Sequence, residues 1–125
     1  MHLTPQAEYA GAYAAGLQEP VPGAVYAVVL CWVTLGNVYP VTRNTDYAVD
    51  STGTQRCMFD YQFGGTRTDK ALKAGFDAHW VAVAQEDGFQ AARDVRGVDV
   101  LDEVVVGDGA QVVPRYIVRF KYEEV

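Results

Sequence analysis

Glu103 is the residue of this sequence best suited to chemistry. It lies in LDEVVVGDGAQVVPRYIVRF, residues 101–120, within a predicted valine-rich strand over 102–106. A carboxylate there is exposed on an open face, paired with Arg115 or Arg119 on the following strand, or working. Tyr9 and Tyr13 are four residues apart in AEYAGAYA, so on a helix they share one face. They either pack the helix onto a sheet or wall a ligand. His2 stands near the N-terminus, and His79 stands in a predicted strand before Trp80, where a core or surface role is the ordinary one. Asp46, Asp50, Asp60 and Asp69 have no metal-loop spacing. Cys31 and Cys57 form no CxxC pair, and no Gly-rich phosphate loop or Ser/His/Asp signature is present. No metal site is expected.

The elements that must position these residues follow from local patterns. Thr4-Pro5 ahead of an Ala-rich run predicts a helix to about Leu17, with Thr4 capping, Pro5 at the first helical position and Glu8 in the first turn. Residues 19–23, EPVPG, form a loop. The apolar run over 24–41 reads as a central strand covered on both faces, with a bend at Gly36-Asn37 and pairing that stops at Pro40. Residues 42–65 read as a long loop, with room for a short hairpin. Helical turns over 68–74 would end at Gly75. A strand is expected over 76–84, then a connection with a helical turn over 89–95. Strands over 102–106 and 112–121 would form a hairpin through Gly107-Asp108-Gly109, where positive φ angles are tolerated. In the last strand Val112, Tyr116, Val118, Phe120 and Tyr122 make one apolar set, and Val113, Arg115, Ile117, Arg119 and Lys121 the opposite one.

These elements make an α+β domain of antiparallel strands with one or two short helices. The 125 residues, half of them hydrophobic, suit a single domain with its own core. No apolar run reaches the ~20 residues of a membrane span, and the first ten residues lack signal-peptide character. A net charge of −6 argues against nucleic acid as a direct ligand. Cysteine usage points to a reducing, intracellular compartment.

Four segments, in order, resemble the catalytic domain of the poly(ADP-ribose) polymerase family. DEVVVGDGAQVVPRYIVRF is similar to that domain's C-terminal end, where an acidic residue opens a short strand and a Gln-Val precedes the last one. LCWVTLGNVYPV looks like its apolar strand ending in Leu-Gly-x-x-Tyr. FDAHWVAV occupies the place of a further strand, and MHLTPQAEYAGAYA is similar to a strand end that runs into a helix. The resemblance implies an ADP-ribosyltransferase fold, with two abutting antiparallel sheets gripping NAD as substrate. It implies that the chain matches the C-terminal portion of such a domain, without the part that precedes it.

By that resemblance Glu103 falls on the catalytic glutamate. Tyr13, eleven residues after His2, falls on the tyrosine that stacks on nicotinamide, with Tyr9 as a second wall. His2 falls where the family's triad has a tyrosine. The triad's first histidine would precede this stretch, and His79 comes too late in the chain to be it. A carboxylate at Glu103 would stabilise positive charge developing on ribose as the nicotinamide bond breaks. The flat ring suits an aromatic face. The implied activity is mono-ADP-ribosylation of a protein acceptor, with a partner chain completing the site. The alternative is an inactive half-domain that binds a protein or nucleotide.

Overall fold

The computed structural model describes residues 1–59, 72–84, 90–93 and 100–123. The chain is α+β, with mostly antiparallel sheets and two helices among the described residues. The main sheet has the order β1 (His2–Leu3), β8 (Val100–Val106), β6 (Ala78–Ala84), β3 (Val38–Val41), and β7 (Gln90–Ala91) also pairs with β6. Its pairs are antiparallel except β3 with β6. A long ribbon pairs β2 (Val25–Val33) with β9 (Val112–Lys121), and a small one pairs β4 (Tyr47–Val49) with β5 (Gln55–Cys57). Helix α1 spans Ala7–Ala14 and α2 spans Arg43–Asp46.

β6 forms the centre of the sheet because AHWVAVA is apolar at nearly every position. Only Trp80 in it reaches solvent, as expected of a strand covered on both faces. The core gathers on one face, where Tyr9, Val41, Val81, Val83, Ala91 and Val105 pack together. A second cluster joins Ala78 and Val106 to Val112, with Leu3, Cys31 and Val33 against it. This second cluster is where the ribbon meets the main sheet. Gln111 strengthens the junction, since its side-chain amide donates to the backbone oxygens of Thr34 and Asp77, both at 3.0 Å.

Several expectations are corrected. β8 and β9 are consecutive but not a hairpin: β8 pairs with β1 and β6, and β9 pairs with β2. Their connection is a 3₁₀ turn over Gly109–Gln111, capped by Asp108, whose φ is −121°. A side-chain cap there replaces the positive φ angles expected of a tight turn. The run 24–41 is two strands in different sheets. Gly36, at φ 60°, lets the chain turn between them. Pro40 does not stop pairing, because β3 ends the sheet order and an edge strand tolerates a missing N–H. β2 is not a covered central strand either: Trp32 is 71% exposed.

Helix α1 starts later than expected. Gln6 is its N-cap, and Thr4 instead accepts from the Gln6 backbone N–H at 3.1 Å. It also ends earlier, as Gly16 at φ 72° turns the chain. Gly11 permits close packing, since a Cβ there would lie 2.8 Å from the Tyr122 hydroxyl. The alternation predicted for the last strand breaks where the register shifts between Leu30 and Cys31. Val112 is buried there, while Tyr116 and Val118 are exposed. Residues 60–65, the turns expected over 68–71, and positions 89, 94 and 95 lie outside the described residues. Gln90 and Ala91, expected in a helical turn, form β7.

Candidate active site

Three elements converge on Glu103. β8 carries it opposite Val81 of β6. β1 places His2 opposite Val105, so Glu103, two residues along the same strand face, is its diagonal neighbour. Helix α1 presents Tyr9 and Tyr13 from one face, as their spacing requires. The helix start is tied to the strand as well, since the Asp102 N–H donates to the Gln6 side-chain oxygen at 2.5 Å.

The contacts divide the carboxylate between two sides. His2 Nδ1 lies 2.5 Å from Glu103 Oε1. The Tyr9 hydroxyl donates to Oε2 at 2.9 Å, and the Tyr13 hydroxyl donates to the same oxygen at 3.4 Å. The two tyrosine rings meet edge-on, 5.1 Å between centroids. Glu103 is 6% exposed, Tyr9 is fully buried, and Tyr13 is 49% exposed.

Burial pushes the Glu103 carboxyl up, but His2's hydrogen bond and charge, with the bonds from Tyr9 and Tyr13, outweigh it. The net direction is down, so the group is a carboxylate at neutral pH. Burial chiefly pushes both phenols up, and the Glu103 charge adds to it. Both tyrosines therefore remain protonated donors.

Glu103 opens onto a cleft of about 870 Å³, within the range of small-molecule sites. β1, α1 and β2 wall it, and its lining is chiefly apolar, with His2, Thr4, Tyr9, Tyr13 and Glu103 as polar members. The described lining residues include no Lys or Arg. No group of three or more metal-ligating side chains occurs among the described residues. Nor is any helix among them long and apolar enough to cross a membrane.

The structure therefore brings together all four residues singled out, Glu103, His2, Tyr9 and Tyr13. Tyr9 and Tyr13 both line the cleft. Tyr9 is buried and its hydroxyl holds Glu103, while Tyr13 presents a half-exposed ring. Pairing of Glu103 with Arg115 or Arg119 does not occur, because those arginines belong to the ribbon.

His79 belongs elsewhere. It is fully buried on β6, and its Nε2 accepts from the Lys73 backbone N–H at 2.8 Å. The Phe59 ring lies 4.4 Å from it, centroid to centroid. Beside it, buried Asp46 accepts from the Tyr39 hydroxyl at 2.9 Å and the Thr42 N–H at 3.0 Å. The sequence offered no signal for this network beyond the residue types. Comparison with protein-family models, curated proteins and solved structures finds no match for this chain.

Proposed function

We propose that this chain is an NAD-dependent ADP-ribosyltransferase domain that transfers single ADP-ribose units to an acceptor and releases nicotinamide. The observation that carries this reading is the convergence of His2, Tyr9 and Tyr13 on Glu103 in the lining of the cleft. Pyridinium N-glycosides are cationic and aromatic. A carboxylate kept charged beside a half-exposed tyrosine ring complements both properties. The fit concerns the nicotinamide riboside end, since the described lining has no Lys or Arg for a diphosphate.

In the reaction the bond between nicotinamide nitrogen and ribose carbon breaks. Its electron pair goes to the nitrogen and neutralises the pyridinium. Positive charge grows on the ribose, where the Glu103 carboxylate stabilises it. The acceptor's lone pair then forms the new bond and its proton is released. Tyr9 acts as a positioning residue, because its hydroxyl holds Oε2 and its ring lies in the core. His2 fixes the other oxygen, and Tyr13 offers its ring to the nicotinamide.

The test is incubation with NAD labelled in the nicotinamide ring, comparing the chain with Glu103→Gln. Release by the chain and loss in the variant support the reading; release by neither ends it. A second reading, a nucleotide- or protein-binding domain without turnover, has its own observation. Both oxygens of Glu103 already have internal partners, as suits a structural anchor. Stabilisation by NAD against heat, with no nicotinamide released, would select it.

A further inference from the structure

The cleft is bounded by strand edges as well as by side chains. Successive side chains on a strand point to opposite faces. A strand that borders a cleft through one face therefore contributes every second residue. β2 contributes the unbroken run from Ala27 to Cys31, so its edge borders the cleft. Among the described residues β9 is the only strand that pairs with β2, so no described strand covers the other edge of β2. Across the cleft stands β1, the terminal strand of the main sheet.

The two outer edges of the ribbon are not alike. β9 carries Pro114, Arg115, Arg119 and Lys121, the proline and charges that keep an edge from pairing. β2, VYAVVLCWV, has nine residues with no charge, proline or glycine. A strand of that composition with an open edge is a template for another strand. A compact ligand can satisfy few of the backbone groups along such an edge, whereas an extended polypeptide satisfies them in register.

We propose that the cleft is a strand-acceptor site, in which an extended segment of a partner polypeptide pairs with the outer edge of β2 and carries a basic side chain toward Glu103. The alternation of a strand sends every second side chain of the segment among the apolar lining residues. The charge preference comes from Glu103, the one carboxylate among the described lining residues: its Oε2 takes only neutral tyrosine hydroxyls, and the Met1 ammonium in the same lining is bound to the Val106 carbonyl oxygen. This inference rests on the edges of the cleft and does not require the NAD reading.

The probe is an acetylated, amidated nonapeptide of alternating threonine and valine with a central arginine. Two control peptides replace the arginine by glutamate, or the two flanking valines by proline. Binding to the full chain is measured by calorimetry, and amide hydrogen exchange locates it. The arginine peptide is expected to bind with Kd of roughly 10–100 μM and to slow exchange within residues 25–33. The glutamate peptide should bind at least about tenfold more weakly, by about 1.4 kcal/mol, and Glu103→Gln should narrow that gap. The proline peptide should not bind, because it cannot donate along the ladder. The proposal is overturned if the arginine peptide does not bind, if the proline peptide binds equally, or if protection falls outside β2. No NAD is present, so these outcomes are independent of the turnover assay.

Discussion

Two buried ionisable groups on the same sheet, Glu103 on β8 and His79 on β6, meet burial with opposite success. At Glu103, desolvation favours the neutral acid, yet three donors overcome it and the carboxyl is lowered. At His79, desolvation disfavours the imidazolium. The charge of Asp46 opposes that effect without overcoming it, and the value falls to about 4. One group is therefore charged at neutral pH and the other neutral. The difference lies in what surrounds them. Glu103 faces donors from β1 and α1 and opens onto a cleft. His79 is enclosed by the rings of Phe59 and Tyr39, with a backbone N–H on Nε2. A buried charge is tolerated when it is paired and hydrogen-bonded. At Glu103 the donors hold the charge, whereas at His79 burial keeps the ring neutral, and the functional reading rests on Glu103.

The comparison breaks most sharply at Glu103 itself. Glu103→Gln keeps the side chain's size and removes its charge. Nicotinamide release from NAD is expected to fall by about 10²–10³-fold, the usual loss when a transition-state electrostatic contact is removed. A time course of labelled nicotinamide measures it, with circular dichroism confirming that the fold survives. Asp46→Ala strikes the other cluster. It leaves the Tyr39 hydroxyl and the Thr42 N–H without their acceptor, at a cost of about 3 kcal/mol in urea unfolding.

The acid limb sharpens the contrast. The unfolded chain protonates its histidine near 6.5, while His79 in the fold does so near 4. Between those values the unfolded state binds more protons, so stability falls as pH falls through that window. His79 should account for about 3 kcal/mol of that loss, and His79→Gln should remove that slope. Glu103 contributes in the same direction but lower on the scale. Its stabilisation is present at neutral pH and lost as pH drops through its folded value, below the ordinary carboxylate range. Unfolding free energies from pH 7 to 3, measured for the chain and both variants, separate the two windows.

The smallest effects distinguish the two tyrosines. Tyr9→Phe removes a buried 2.9 Å bond and should cost about 1–2 kcal/mol of stability. Tyr13→Phe removes a long bond from a half-exposed ring, so stability should change by less than ~0.5 kcal/mol. Nicotinamide affinity should survive Tyr13→Phe and weaken about five- to tenfold in Tyr13→Ala, where the ring is lost. Equal losses in Phe and Ala variants would place the hydroxyl, not the ring, at the ligand.

Local patterns made part of this legible. The four-residue spacing of Tyr9 and Tyr13 puts them on one helix face wherever the helix sits. The loose alternation over 76–84 marks the strand β6, though not its burial at nearly every position, and valines around Glu103 mark β8. The same kind of pattern misled at β2. Apolar content reports that a strand can be covered, and does not report what covers it. Contiguity misled at the turn after Gly107. Two strands joined by a short connection usually pair, but here the Asp108 cap and the Gln111 bridge send them into different sheets.

Composition and periodicity by themselves determined the class of the domain, the helix that carries both tyrosines, and the strands around Glu103 and His79. These depend on interactions among residues close in the chain. The partnerships were decided only by the tertiary structure: His2 with Glu103 across 101 positions, Tyr9 with Glu103 across 94, and β2's edge with the cleft. Strand pairing is a choice among distant segments of similar pattern, and its outcome depends on register and on the whole packed sheet. That choice made Glu103 a charged, three-donor carboxylate at a cleft and made His79 a neutral core residue, from strands that read alike.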